Sequence, residues 1–509
     1  MNNLVPLGFG AWSFIAVYLL SLIGIGLVAK RARAADTMKD FYLAGNGFGF
    51  TVLFLTLFAT QYSGNTFFAF TGATYRIGYA WILSLHFMTA VVVAYLLFAP
   101  KLHRLSRERG YLTPADFIQD RYANRALTLF ITIIMIVVLC NFLLAQLMAM
   151  GRAMQGLAHD SGGSAYTAGV IVLATIMVIY GTLGGLRAVA WTDALQGAIL
   201  AVGFAVLLAL LFERFGSLTE ATKIILERDL ANGTRLARPP DADRCREWFS
   251  YIIAVGFGIC LYPQAIQRIY AARSEAVLKR SLAVMAFMPL PTMIISLIAG
   301  IMALAYLPGL EGASADQIFG RVLREIQSHS ALGYGLVVVT LSAVLAAMMS
   351  TADSALLSIS SMLTKDVCAN HVVPDATQAQ LTKIGKAFSW GVIAALIALA
   401  LILREESSLV ALMDRKIDLL IQLMPAFIIG IRWNGLRGGP VLVGITVGIS
   451  VSLLLVFGDF SFVEKGKIAG LHAGLVALLP NATIAILGSF ACVRAQRSWY
   501  RNPSSAGDR

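Results

Sequence analysis

The chain contains few charged residues for its length. Asp, Glu, Lys and Arg make up 13% of its 509 residues, whereas apolar residues make up 58% and the mean hydropathy is +0.75. A soluble domain carries about 25% charged residues, because its surface has to be hydrated. The scarcity of charge therefore excludes a soluble globular protein. It predicts an all-α polytopic membrane protein, since the apolar runs are long enough for helices rather than barrel strands.

Cysteine is also scarce. Five Cys residues are scattered along the chain without a CxxC pair, which excludes a disulfide framework and a CxxC metal site. The sequence also lacks a recognisable nucleophile–base arrangement or nucleotide-binding loop, so we expect neither an enzyme nor an organic cofactor. The formal net charge of +12 is explained by basic cytoplasmic loops and does not require a nucleic-acid partner.

About thirteen apolar stretches are long enough to cross a membrane. They lie at 9–29, 49–75, 79–100, 126–156, 166–183, 188–212, 248–270, 283–307, 334–363, 387–403, 408–431, 440–458 and 470–493. Most of the 40 Lys and Arg residues, including Arg187 and Arg268, fall in every second connection. This bias predicts an outside N-terminus and a cytoplasmic C-terminus. The short loops and short tail suggest a bacterial inner membrane. No basic residue precedes the first apolar run, so we expect an uncleaved helix rather than a signal peptide.

The second and seventh spans are interrupted by polar or flexible residues, at 59–66 and 256–264. Because five spans separate these breaks, they predict two inverted five-helix repeats, each beginning with a discontinuous helix whose free backbone groups bind an ion and a solute. The predicted repeats cover 49–212 and 248–431. A leading helix and loop cover 1–48, an external loop covers 213–247, and two trailing helices with a tail cover 432–509. Ordinary helix kinks are the alternative explanation of the breaks.

A cluster of hydroxyl residues and one carboxylate, at 347–354, lies inside the apolar run 335–363. Polar groups at membrane depth are costly unless they bind something or contact other helices. Hydroxyl, carbonyl and carboxylate oxygens are hard ligands and suit a small cation such as sodium. The alternative is helix–helix packing, because small residues let membrane helices approach each other closely.

Three motifs together resemble the sodium:solute symporter family. They are the GGLRAVAWTDALQ segment at 184–196, the hydroxyl cluster continuing to 366, and the segment from Gln422 through Pro425 to Gly444. The resemblance implies a LeuT-type inverted-repeat fold with one leading and two trailing helices, thirteen in all. It also implies a secondary transporter that uses Na⁺ as its coupling ion.

The resemblance further implies two ion sites. The first sodium site corresponds to Ala59, Tyr62, Ala347, Ser350 and Thr351, and a possible second ion site to Asp193, Ser350, Asp353 and Ser354. Two carboxylates beside one cation would strengthen its binding or leave one carboxyl group protonated, which keeps proton coupling open. Asp193 has the alternative of a structural carboxylate at a helix end, paired with Arg187.

The solute is expected beside the two breaks, between the repeats. The candidate contacts are Thr60, Gln61, Ser63, Asn65, His86, Gln146, Phe257, Tyr262, Gln264 and Gln422. Each of these could equally form a hydrogen bond between helices. His86 is expected to face the cavity, because an unpaired imidazole at membrane depth is costly. The charges at 414–418 are expected near the outer end of their span, as part of an external gate or as a wetted intrahelical cluster.

These observations predict a sodium-coupled symporter that imports a small organic solute. The polar candidates are mostly amides and one imidazole, which favours a carboxylate or zwitterion: a monocarboxylate, a pantothenate-like acid or an amino acid. A proton-coupled symporter on the same fold and a membrane solute sensor are the alternatives.

Overall fold

The computed structural model describes residues 8–62, 64–158, 163–311, 315, 318–327, 331–404, 409–458, 460–464 and 466–501, and it is predominantly helical. The first half contains α1 (Phe9–Arg31), α2 (Met38–Leu43), α3 (Phe50–Gln61), α4 (Gly64–Ile77), α5 (Leu83–Arg109), α6 (Pro114–Tyr122), α7 (Arg125–Ala158), α8 (Ser164–Gly184), α9 (Leu186–Phe215) and α10 (Leu218–Asn232). The second half contains α11 (Ala242–Ile259), α12 (Pro263–Ala271), α13 (Glu275–Met285), α14 (Pro289–Tyr306), α15 (Ile318–Gln327), α16 (Ala331–Met362), α17 (Gln378–Ile402), α18 (Leu409–Leu420), α19 (Gly430–Arg432), α20 (Gly438–Phe457) and α21 (Ala473–Arg501).

Short irregular elements extend or connect these helices. Single turns of 3₁₀ helix lie at Ala44–Asn46, Gly78–Ile82 and Ile421–Leu423, and π-helical turns lie at Leu363–Ala369 and Pro425–Ile429. Three two-residue strands, β1 (Val463–Glu464), β2 (Lys467–Ile468) and β3 (Leu471–His472), pair in the antiparallel order β1-β2-β3 between α20 and α21.

The chain is an integral, multi-pass membrane protein. Among the described residues, ten helical segments are long and apolar enough to cross a membrane, or eleven if the bent pair α11–α12 counts as one span. The two predicted spans missing from that set are 49–75 and 408–431. A break shortens the first to the 12-residue α3, and the second contains the 12-residue, charged α18. The count of thirteen therefore stays a prediction.

Both helix breaks lie where the sequence places them. The first separates α3 from α4 between Gln61 and Gly64, and the second separates α11 from α12 between Ile259 and Pro263, with a bend of 54°. Proline has no N–H to continue a helix but fits the first position of a new one, which explains why α12 starts at Pro263. Backbone groups at such helix ends lack intrahelical partners.

The helix α16 lies at the centre of the bundle. It packs against α3, α9 and α12. In its most apolar 18-residue stretch 94% of the residues are buried, whereas the corresponding share is 28% in α20 and in α21. Its many Ala and Ser residues allow these close approaches. The fold thus brings the hydroxyl cluster of α16 against both broken helices.

Candidate functional site

The first group of oxygen atoms joins the end of α3 to α16. The hydroxyl Oγ1 of Thr351 lies 2.9 Å from the carbonyl oxygen of Ala347 and 3.4 Å from that of Ala59. Because α3 ends two residues after Ala59, no residue of α3 can donate a hydrogen bond to the Ala59 carbonyl. All three residues are buried. Three of the five predicted sodium ligands therefore meet in one place.

The other two predicted ligands of the first site border this group. Tyr62 follows the end of α3, is fully buried and has an extended backbone with φ −104° and ψ 97°. Ser350 precedes Thr351 on α16, and its hydroxyl donates to Oδ1 of Asp193 at 2.5 Å. Ser350 therefore links the first predicted ion site to the second.

The predicted second site is a buried cluster around Asp193. The hydroxyl of Thr56 donates to the Asp193 carboxylate, as Ser350 does. Ser354 donates to the carbonyl oxygen of Ser350 at 2.7 Å and lies 3.2 Å from Oδ1 of Asp353. The four residues predicted for this site are thus neighbours, as the sequence motif requires.

Sequence reasoning missed a cation at the centre of this cluster. Arg268, counted above among cytoplasmic connections, is instead fully buried on the second turn of α12. Its Nη2 donates to Asp193 Oδ2 at 2.8 Å and to Ser354 Oγ at 2.5 Å, and its Nε donates to Thr56 Oγ1 at 2.8 Å. A carboxylate predicted inside a membrane span requires a cationic partner, and that requirement was the available signal.

The alternative pairing of Asp193 with Arg187 is wrong. Arg187 bonds the carboxylate of Asp40 at 2.9 Å and the carbonyl of Ala32 at 2.9 Å, because it lies on the first turn of α9, beside α2. Asp353, the other carboxylate, accepts a hydrogen bond of 2.5 Å from the hydroxyl of Tyr180 on α8. Within the described residues Asp353 forms no ion pair.

Four of the predicted solute contacts carry buried polar atoms without a hydrogen-bond partner in the described part of the chain. These atoms are Nε2 of Gln61, both side-chain polar atoms of Gln146, the hydroxyl of Tyr262 and Oε1 of Gln264. Gln61 ends α3, while Tyr262 and Gln264 flank the start of α12. Buried polar groups are normally hydrogen-bonded, so a cluster of unsatisfied ones beside the breaks indicates a place for a polar ligand.

Three other solute candidates have partners elsewhere. Gln422 donates to the carbonyls of Asp418 and Gly474, at 3.2 and 2.7 Å, and accepts from Asn481 at 3.0 Å. Thr60 donates to the Thr56 carbonyl of its own helix at 2.7 Å. These hydrogen bonds show that Gln422 and Thr60 also take part in helix packing, and their contact with the solute stays a prediction. His86 does not meet the expected buried cavity: its side chain is exposed, and its ring lies edge-on to Trp248, 5.4 Å away.

The other three solute candidates are Phe257, Ser63 and Asn65. Phe257 is half-buried against the apolar core of the bundle. Ser63 lies outside the described residues, and for Asn65 only the helical backbone of α4 is described.

The charges of α18 separate onto different faces of that helix. Asp414 Oδ1 lies 3.5 Å from the Tyr251 hydroxyl, and Asp418 lies 3.5 Å from Nη1 of Arg415. Lys416 instead packs against the rings of Phe142 and Tyr262. The predicted intrahelical cluster of Asp414, Arg415 and Asp418 therefore reduces to the Arg415–Asp418 pair.

A bundle in which two broken helices meet a central helix that carries buried hydroxyl groups is typical of a secondary transporter. The sequence profile of the sodium:solute symporter family matches residues 41–448. The chain belongs to the sodium:solute symporter family.

The relatives and the solved structures agree with this membership. The chain is similar to a sodium/pantothenate symporter of Escherichia coli (strain K12), with 25% identity over 72% of this chain and 73% of that protein. It is also similar to an osmoregulated proline transporter of Bacillus subtilis (strain 168), with 24% identity over 96% of each chain. The structure of a Na⁺-coupled sialic acid symporter, in a substrate-bound outward-open state, superposes with a TM-score of 0.75 at 17% identity. The match covers 95% of this chain and 98% of the other. These matches confirm the predicted LeuT-type fold.

Proposed function

We propose that this chain is a sodium-coupled symporter that imports a small organic solute by alternating access. Sodium would bind at the first site, formed by Ala59, Tyr62, Ala347, Ser350 and Thr351. The position of the Thr351 hydroxyl between two carbonyls carries this proposal. A hydroxyl has one proton and two lone pairs. When the Thr351 hydroxyl donates its proton to the Ala347 carbonyl, its oxygen and the carbonyl oxygen of Ala59 face each other as two acceptors, which repel. A cation between these two oxygen atoms would be attracted to both.

The first site would couple the ion to the shape of the protein. Its ligands come from two elements, the end of α3 and the middle of α16, so a sodium ion there stabilises the state in which these elements are in contact. An ion with higher affinity for one state shifts the population toward that state. We assign that state to the outward-facing, solute-binding form. Reorientation of the repeats would then release sodium into a cytoplasm where sodium is scarce.

The solute is proposed to bind beside the breaks. The unsatisfied atoms of Gln61, Gln146, Tyr262 and Gln264 support this place, because a polar ligand would supply the missing hydrogen bonds. The two relatives are named for pantothenate and proline, and each of these compounds carries a carboxylate. We therefore propose a carboxylate or zwitterion as the solute: a monocarboxylate, a pantothenate-like acid or an amino acid.

We propose that one sodium ion is transported per cycle. A second ion at Asp193, Ser350, Asp353 and Ser354 remains the alternative, but the Arg268 guanidinium donates to Asp193 and Ser354 and already brings a positive charge there. Proton coupling is a second candidate. It is favoured by Asp353, which forms no ion pair within the described residues and would be neutral when protonated.

The test is solute accumulation in proteoliposomes under defined ion gradients. Radiolabelled pantothenate, L-proline and lactate are offered with an inward gradient of sodium, of potassium or of protons. We expect one of them to accumulate only with sodium, and the paired change Ser350→Ala and Thr351→Ala to abolish this dependence. The control is Ser342→Ala on the same helix, whose hydroxyl bonds only its own helix, at the Val338 carbonyl. Accumulation driven by protons alone would assign proton coupling, and binding without accumulation would assign a sensor.

A further inference from the structure

Lys416 is a buried lysine that forms no ion pair with the described residues. It lies on α18, only 3% of its surface is exposed, and within the described residues its Nζ forms no ion pair and no hydrogen bond. Two aromatic rings lie close to its ammonium group: Nζ is 3.8 Å from the ring centroid of Phe142 and 5.8 Å from that of Tyr262. The positive charge therefore rests against two ring faces.

The carboxylates of α18 form no ion pair with this lysine. Asp414 lies two residues before it and faces Tyr251 and His472, with Oδ1 3.5 Å from the Tyr251 hydroxyl and 4.0 Å from Nε2 of His472. Asp418 lies two residues after it and accepts from the backbone N–H of Gly474 at 2.8 Å. Residues two positions apart do not face each other on a helix, and neither carboxylate forms an ion pair with Lys416.

The rings beneath Lys416 belong to the proposed solute site. Phe142 and Tyr262 stack with centroids 5.1 Å apart and an angle of 16° between their planes. Tyr262 caps α12 at the second break, and its hydroxyl has no partner among the described residues. Phe142 lies one helical turn before Gln146, whose amide also lacks partners there. The phenol and the amide are thus two unsatisfied polar groups on elements that adjoin the ammonium group.

The energetics of this arrangement call for an anion. Taking an ammonium ion out of water costs more than cation–π attraction returns. Buried lysines normally recover the difference from a carboxylate, and Lys416 has none within ion-pair distance. A ligand that brought its own negative charge would complete the site, and a neutral or cationic ligand would leave the deficit.

We propose that Lys416 binds the carboxylate of the transported solute and so selects organic anions and zwitterions over neutral solutes. This inference rests on the proposed symport function and deepens it, because it names one residue that determines the substrate class. The Phe142 and Tyr262 rings hold the ammonium group in place, and Gln146 and the Tyr262 hydroxyl supply further hydrogen bonds to the bound solute.

The test compares matched pairs of compounds that differ at the carboxylate. Purified wild-type protein, Lys416→Met and Lys416→Arg are melted in sodium chloride and in potassium chloride with pantothenate or pantothenyl alcohol, and with L-proline or L-prolinamide. Ligands that bind the folded state raise the melting temperature. We expect a carboxylate, and not its uncharged partner, to stabilise the wild type in sodium. We also expect at least tenfold weaker binding in Lys416→Met and partial retention in Lys416→Arg.

The control variant is Arg415→Gln, which removes the adjacent positive charge that pairs with Asp418, and it should keep wild-type affinity. Equal stabilisation by the uncharged analogue, unchanged affinity in Lys416→Met, or Lys416-dependent stabilisation by chloride or sulfate alone would overturn the inference. The melting temperature in sodium without solute is a separate measurement, and it tests the proposed function rather than the role of Lys416. If it is absent from the wild type, the proposed function fails, whereas its presence without carboxylate preference contradicts only the role of Lys416.

A measurement without ligand decides the matter even if none of these compounds binds. An ammonium group kept free for a substrate should destabilise the empty protein, so Lys416→Met should melt at the same or a higher temperature than the wild type. A fall of several degrees would show that the cation–π contacts hold the fold together, and would assign Lys416 to a structural role.

Discussion

Two buried cations in the same bundle are treated in opposite ways. Arg268 on α12 donates hydrogen bonds to Asp193, Ser354 and Thr56, and to the carbonyl of Gln264 at 3.1 Å. Lys416 on α18 touches two aromatic rings and has no ion pair in the described part of the chain. The charge of Arg268 is satisfied by the protein and supports its structure, whereas the ammonium group of Lys416 is proposed to bind a ligand. Mutations at the two positions should therefore have effects of opposite sign on stability.

The largest expected effect comes from breaking the satisfied pair. Arg268→Met or Asp193→Leu leaves one buried charge without its partner, and such changes cost about 3–5 kcal/mol. We expect either variant to give little folded protein in detergent, measured by size-exclusion chromatography and thermal melting. The double variant should recover much of this loss, because it removes both charges. If each single variant melted as the wild type does, the pair would not support the fold.

The comparison extends to two buried glutamines. Gln422 forms three hydrogen bonds, whereas the amide of Gln146 has no partner among the described residues. Gln422→Leu should therefore destabilise the protein by about 1–3 kcal/mol, since the buried carbonyl of Gly474 loses its donor and Asn481 loses one of its two acceptors. Gln146→Leu should be neutral or stabilising, yet weaken solute binding. Equal melting temperatures of the two variants would remove this distinction.

A smaller effect of opposite sign is expected at Lys416. Single stabilising substitutions commonly contribute about 0.5–2 kcal/mol, and residues kept for function often cost stability. Lys416→Met should therefore raise the melting temperature in the absence of solute, while Arg268→Met lowers it. Thermal melting of both variants in the same detergent and salt compares them directly. A shift of the same sign in both would contradict the assignment of different roles.

The smallest effect concerns pH and a carboxylate outside the membrane spans. Burial of Asp229 at the end of α10 raises its pKa, but hydrogen bonds from the N–H groups of Leu236 and Ala237, at 3.0 and 2.8 Å, and from Thr234 lower it by more. The pKa in the folded state therefore lies below the unfolded value. The carboxylate stabilises the fold above the unfolded pKa, about 3.9, and this contribution is lost as the pH falls through the folded pKa.

We therefore expect Asp229→Asn to melt below the wild type at pH 7, with the difference shrinking only as the pH falls below about 3.9, for example at pH 3. The exposed Asp375 provides the control, because Asp375→Asn should change the melting temperature little at either pH. A gap between Asp229→Asn and the wild type that widened on acidification would contradict this prediction.

The sequence predicted the elements that depend on local chemistry. The two breaks, at Gln61 and before Pro263, follow from residues that interrupt helices, and the hydroxyl cluster of α16 follows from its composition. Ala59, Ala347 and Thr351 were carried over from the family resemblance, and the structure brings them together. These inferences need no knowledge of distant partners.

The errors concern partners that only the folded bundle defines. Arg268 was counted as a cytoplasmic charge although it lies just inside the end of the predicted span 248–270, because hydropathy does not show that Asp193 faces it across the bundle. Gln422 and Gln146 look alike in sequence, but only Gln422 meets Asn481 and the Gly474 carbonyl of α21. The lack of an ion pair at Lys416 likewise depends on the partners that Asp414 and Asp418 find in the folded bundle, which the sequence does not show.

The most direct test of the central claim is a sodium titration of the melting temperature without solute, at constant ionic strength with potassium as the replacement ion. We expect sodium to stabilise the wild type and Ser342→Ala in a saturable way, and to have no specific effect on Thr351→Ala, because that variant lacks the hydroxyl between the Ala59 and Ala347 carbonyls. A Thr351→Ala protein that sodium still stabilised at wild-type concentrations would show that the ion binds elsewhere.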